Sequence, residues 1–114
     1  MTMGSFFFVI FIGEKEELKM NNVKMILEKY GKDTIWFYLK DDKTEENFKK
    51  ELMELGATWM GGEKLEKHHR LSYYIAVHSD KTITFISSMC WKMSFATNKE
   101  IVHVDYSSLK RIYF

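Results

Sequence analysis

The chain contains no proline, and it has only six glycines and one cysteine. Average usage would place about five or six prolines in a chain of this length. Its turns must therefore come from Gly, Asn, Asp and Ser. A single cysteine excludes an intramolecular disulfide and leaves any zinc site to be built mostly from histidine. Cys90 stands between Met89 and Trp91. Those apolar neighbours predict a buried, inert packing thiol, with a nucleophile as the rival reading. Charge of one sign is also lacking. Seventeen basic side chains face 16 acidic ones, for a net +1. That balance excludes a strongly basic coat, so nucleic acid is not expected as the main partner. No apolar run approaches the roughly 20 residues that a bilayer-crossing helix needs. The longest, Phe-Phe-Phe-Val-Ile-Phe-Ile at 6–12, has no Lys or Arg before it and a charged segment after it. It does not read as a signal peptide. A cytoplasmic protein with no membrane partner is expected.

What is present is a folding composition: 46% hydrophobic and 16% aromatic over 114 residues. One domain spanning 1–114 follows from that length. The run at 6–12 reads as a strand buried on both faces. Leu18, Val23, Ile26, Leu27 and Tyr30 recur at helical spacing over 14–30. Gly31 closes that segment, and Asn21-Asn22 either interrupts it or caps a second helix. Residues 34–39 are β-branched and aromatic, a second strand. Phe48, Leu52 and Leu55 form one apolar stripe on a helix that starts at Asp42 or Thr44 and stops at Gly56. Glu46 and Lys50 can pair on its wet side, and Glu51 and Glu54 read as solubilising surface charges. Residues 71–78 and 82–87, joined by Ser79-Asp80-Lys81, form a hairpin. Residues 101–106 are a last strand, and 107–114 end as a short helix or strand. The expected fold class is α+β, a mostly antiparallel sheet of about five strands with two helices packed on one face.

Alternation assigns the faces of the later strands. Val77 and Val104 point to the core. Tyr74, His78, His103 and Asp105 then point to solvent or to a ligand. If His78 neighbours His103, three polar groups converge, enough to bind a metal or orient a base. No zincin or cysteine-pair motif accompanies them, and a solvated polar face explains them equally. No catalytic residue, metal or cofactor is assigned.

A basic stretch, Lys64, Lys67, His68, His69 and Arg70, follows Gly61-Gly62. Glycines let backbone approach a phosphate, basic groups supply charge, and Trp59 or Tyr74 can stack on a base. Glu63 and Glu66 dilute the charge, so a solvated loop competes with a nucleotide pocket. Trp36 and Phe37 point to opposite strand faces, so that strand is buried twice or meets a partner. Residues 89–96 are ambiguous in type; if they form a strand, Met89, Trp91 and Met93 alternate on one side of it. Met, Trp and Tyr are interface residues, so a protein partner or a homodimer fits this composition.

The segment 48–65 ends a helix in Leu52-x-x-x-Gly56-Ala57-x-Trp59-x-x-Gly62-x-x-Leu65. Two strands and a closing strand follow it. The segment resembles small phage and mobile-element accessory proteins with a Leu-x-x-x-Gly-[Tyr or Ala]-x-Trp-x-x-Gly-x-x-Leu signature. The resemblance covers 48–105. It implies an anti-defence protein: either an inhibitor that occludes a host protein, as anti-CRISPR proteins do, or a sponge that sequesters a nucleotide signal. A stoichiometric, non-enzymatic protein binder is the leading expectation. The sponge, and a small nucleotide-acting enzyme using His78, His103 and Asp105, are the alternatives. The candidate binding residues are Trp59, Lys64, His69, Arg70, Tyr74, His78, His103 and Asp105.

Overall fold

A computed structural model describes residues 20–66, 70–97 and 100–113. The strand expected at 6–12 lies outside these residues. So do Lys67, His68, His69 and the turn at Asn98-Lys99.

The first described helix is α1, Asn22–Tyr30. Asn21 caps it, its side chain accepting the Lys24 N–H at 3.0 Å. Gly31 closes it at φ +58°, where its N–H donates to the Leu27 carbonyl. A Cβ would strain that left-handed backbone, which is why glycine stands there. Strand β1, Thr34–Tyr38, follows, then helix α2, Asp42–Glu54. The α2 N-cap is Asp41, one residue earlier than the sequence pattern placed it. The Asp41 carboxylate accepts the Thr44 N–H at 2.8 Å. The ion pair on this helix is Glu45–Lys49 at 3.5 Å, not the expected Glu46–Lys50.

The remaining elements are β2 (Thr58–Trp59), β3 (Tyr74–His78), β4 (Thr82–Phe85), α3 (Ser88–Thr97), β5 (Val102–Asp105) and β6 (Lys110–Ile112). The described strands join in one six-stranded sheet, in the order β2-β4-β3-β1-β5-β6. The class is α+β, as the pattern predicts. The sheet is mixed, however: β1 runs parallel to β5, and β2 parallel to β4, while the other pairs are antiparallel.

Side-chain alternation gives each sheet face its own layer. Ile35, Phe37, Ile75, Val77, Val102 and Val104 face α1 and α2, where Val23, Ile26, Phe48 and Leu52 meet them. The other face is not open, as the alternation alone led us to expect. The third helix, α3, covers it. Trp91 of α3 packs with Ala76 and Ile86, and Trp36, Tyr38, Tyr74, Phe95 and Ile112 gather around them. Trp36 and Phe37 therefore share a strand buried from both sides. The expected two-helix cover of one face is correct for α1 and α2 and misses α3.

The segment 89–96, ambiguous from its pattern, is helical, and the ambiguity has a physical reason. Met89, Trp91 and Met93 fit a two-residue period, but Trp91, Ser94 and Phe95 fit a helical face equally. Ser87 starts that helix, its hydroxyl accepting the Cys90 N–H at 3.1 Å. Trp91 then points inward, while Met89 and Met93 point out. No described helix is long and apolar enough to cross a membrane.

Candidate functional site

The inner face of α3 is an aromatic layer. Trp91 lies 4.7 Å from the Tyr74 ring and meets His103 edge-on at 4.8 Å, measured between centroids. His103 is only 3% exposed and sits between Trp36, Trp91 and Phe95. Its Nε2 is hydrogen-bonded to Ser94 Oγ at 2.7 Å. Burial pushes its pKa below the ordinary value, helped by the Arg111 charge and opposed by a bond to the Ile101 backbone. His103 is thus a packed, polar anchor for α3.

The outer face of α3 is different. Met89 is 69% exposed and Met93 is 56% exposed. Ala96 continues the line one turn on and is also exposed. The positions 89, 93 and 96 are i, i+4 and i+7, one stripe on a helix. Cys90 lies beside it and is exposed, against the expectation of a buried thiol. The expectation fails because Cys90 follows Met89 round the helix and not into the sheet. Lys92 is the only charged residue of α3. A helix apolar on every side is ordinarily buried on every side. Here one side lies open.

The candidate residues from the sequence are distributed widely. His78 is half-buried, and its ring joins Thr34 Oγ1 at 2.8 Å to Thr84 Oγ1 at 3.3 Å. His78 stands opposite Thr34, and His103 stands opposite Trp36. The two histidines are therefore two strands apart and one side-chain row apart, about 10 Å across and about 7 Å along the sheet. Trp36 lies between them. Asp105 Oδ1 accepts the N–H and the hydroxyl of Ser107, closing a turn. The three groups do not converge. Among the described residues, no His, Cys, Asp or Glu cluster could hold a metal ion.

Arg70 pairs with Asp42, and its Nε lies 3.8 Å from Glu45. The cleft beside it is lined by Asp41, Asp42 and Glu45 as well as Ser72 and Tyr73. Carboxylates surround this guanidinium, which disfavours a phosphate there. Lys64 is exposed, forms a β-bridge with Thr58 and does not line that cleft. Trp59 packs on Phe85 with ring centroids at 4.6 Å and rims the main core. Tyr74 is committed to the aromatic layer. His69 lies outside the described residues.

The sequence pattern also misplaces Glu51. Glu51 is not a solubilising charge, because only 6% of it is exposed. Its Oε1 accepts the Tyr106 hydroxyl at 2.6 Å and the Val23 N–H at 3.2 Å. Asn21 Nδ2 donates to the Glu51 carbonyl and to Glu54 Oε1. Burial drives the Tyr106 phenol far above its ordinary value, with the Glu51 bond and charge adding to it. The signal was available: Thr44, Asn47 and Glu51 make a polar stripe at i, i+3 and i+7 beside the apolar one.

The chain matches none of the family models, curated proteins or solved structures with which it was compared.

Proposed function

We propose that this chain is a small non-enzymatic binding protein that occludes a protein partner stoichiometrically. The carrying observation is the open apolar stripe Met89–Met93–Ala96 on a helix locked from beneath by Trp91, Phe95 and His103. Methionines adapt their shape to an apolar counterpart, and a rigid platform loses little entropy on binding. Lys92 supplies the one charge of α3, so the partner surface is apolar with an acidic group at its rim. The helix–Gly–Trp–Gly segment at 52–65 supports a phage or mobile-element origin, and with it a host defence protein as the partner. The dispersal of His78, His103 and Asp105 supports binding over catalysis.

The test is expression at graded levels in bacteria carrying a defence system, scored by phage plating. A stoichiometric inhibitor protects in proportion to its level and saturates when the partner is titrated. The double variant Met89→Glu, Met93→Glu folds normally and protects at no level. Protection that persists in this variant, or that needs only catalytic amounts of protein, contradicts the proposal.

A further inference from the structure

A second site lies away from α3. A cleft of about 350 Å³ opens between the start of α1, the polar flank of α2 and the turn after β5. That volume suits a ligand the size of a monosaccharide. Thr44, Glu51 and Tyr106 line it, and each is more than nine-tenths buried. Buried polar groups ordinarily have all their partners. Glu51 does not. Both hydrogen bonds to its carboxylate end on Oε1, and among the described residues Oε2 receives none. The cleft wall also includes Leu109, whose φ of +60° is a left-handed backbone that leucine rarely adopts. Such strain gathers where a surrounding site holds it in place.

We propose that this cleft binds the vicinal hydroxyl groups of a sugar. The donor and acceptor inventory carries the choice. Glu51 Oε2 only accepts, Lys50 only donates, and the amides of Asn22 and Asn47 do both. A ligand must therefore donate at one point and accept at another a few ångströms away. Neighbouring sugar hydroxyls do that without carrying charge. A phosphate or carboxylate would meet the Glu51 carboxylate, and an ammonium would leave Lys50 opposed. The free monosaccharide and the ribose of a nucleoside share this chemistry. The site is independent of the protein-binding face on α3.

The test is a titration of the full chain, followed by amide chemical shifts, with D-ribose, adenosine and 2′-deoxyadenosine. Adenosine shifts the side-chain amides of Asn22 and Asn47 and the backbone amides of Lys50 and Ser107. D-ribose produces the same shifts if the sugar suffices, and none if the nucleoside is required. The exposed Asn47→Ala keeps the fold and weakens binding at least about tenfold. Glu51→Gln, which keeps the side-chain shape, removes it. Three results overturn the proposal: no localised shift with either ribose-bearing probe, equal affinity for 2′-deoxyadenosine, or unchanged affinity in Asn47→Ala.

Discussion

The imidazole of His103 lies flat against the Phe95 ring, with centroids 3.9 Å apart and planes inclined by 20°. This contact ties β5 to α3, and the nearly dry site around it disfavours the charged imidazolium. Burial has lowered the folded pKa below the ordinary 6.5. The unfolded chain therefore binds the proton first. The stability gained from burying His103 is complete above about pH 6.5 and is lost as pH falls toward the folded value. Urea unfolding should show falling stability between about pH 7 and pH 5.5, and His103→Gln should flatten that slope. An equal slope in the variant would remove His103 as the cause.

Trp91 is the hub of the layer under α3. It contacts Trp36, Tyr38, Tyr74, Phe95 and His103. Trp91→Ala should cost about 3–5 kcal/mol, because the cavity it leaves cannot close. Near-ultraviolet circular dichroism should lose most of its aromatic signal with it. A cost below about 1 kcal/mol would mean that α3 is not docked.

Tyr106 and Glu51 are 55 residues apart in sequence and share the shortest hydrogen bond of the buried set, at 2.6 Å. Tyr106→Phe removes one donor from a buried carboxylate. It should cost about 1–3 kcal/mol in equilibrium unfolding. A neutral result would place water on Glu51 as an equal partner.

Arg70 should matter little to folding. Its guanidinium is 67% exposed and its Asp42 partner 74% exposed. Arg70→Ala should change stability by less than about 1 kcal/mol. A larger loss would show that the Glu45 contact is dry and tightly coupled.

Much of the fold was legible in residues alone. Gly31 and Gly56 mark the ends of α1 and α2. Alternation of Ile75 and Val77 against Tyr74 and His78 assigns the two faces of β3. The third helix was not legible, because Met89, Trp91 and Met93 satisfy a strand period and only the docking of Trp91 decides between the two. Missing α3 left the second sheet face open on paper, and His103 looked available for chemistry when it is a packed anchor. Cys90 was misplaced by the same omission. The Glu51 carboxylate was misplaced because its partners, Tyr106 and Val23, come from distant elements that local spacing does not reveal. The candidate ligand residues were chosen by residue type. The sheet register then set Trp36 between His78 and His103, and Asp42 and Glu45 engaged Arg70.

The most direct measurement is native mass spectrometry of the protein purified gently from bacteria, comparing the wild-type chain with Met89→Glu, Met93→Glu. The account predicts a complex of this chain with a different protein at fixed stoichiometry, present for the wild type and absent for the variant. A bare chain in both samples, a homodimer alone, or a complex equally abundant in the variant would contradict binding through α3.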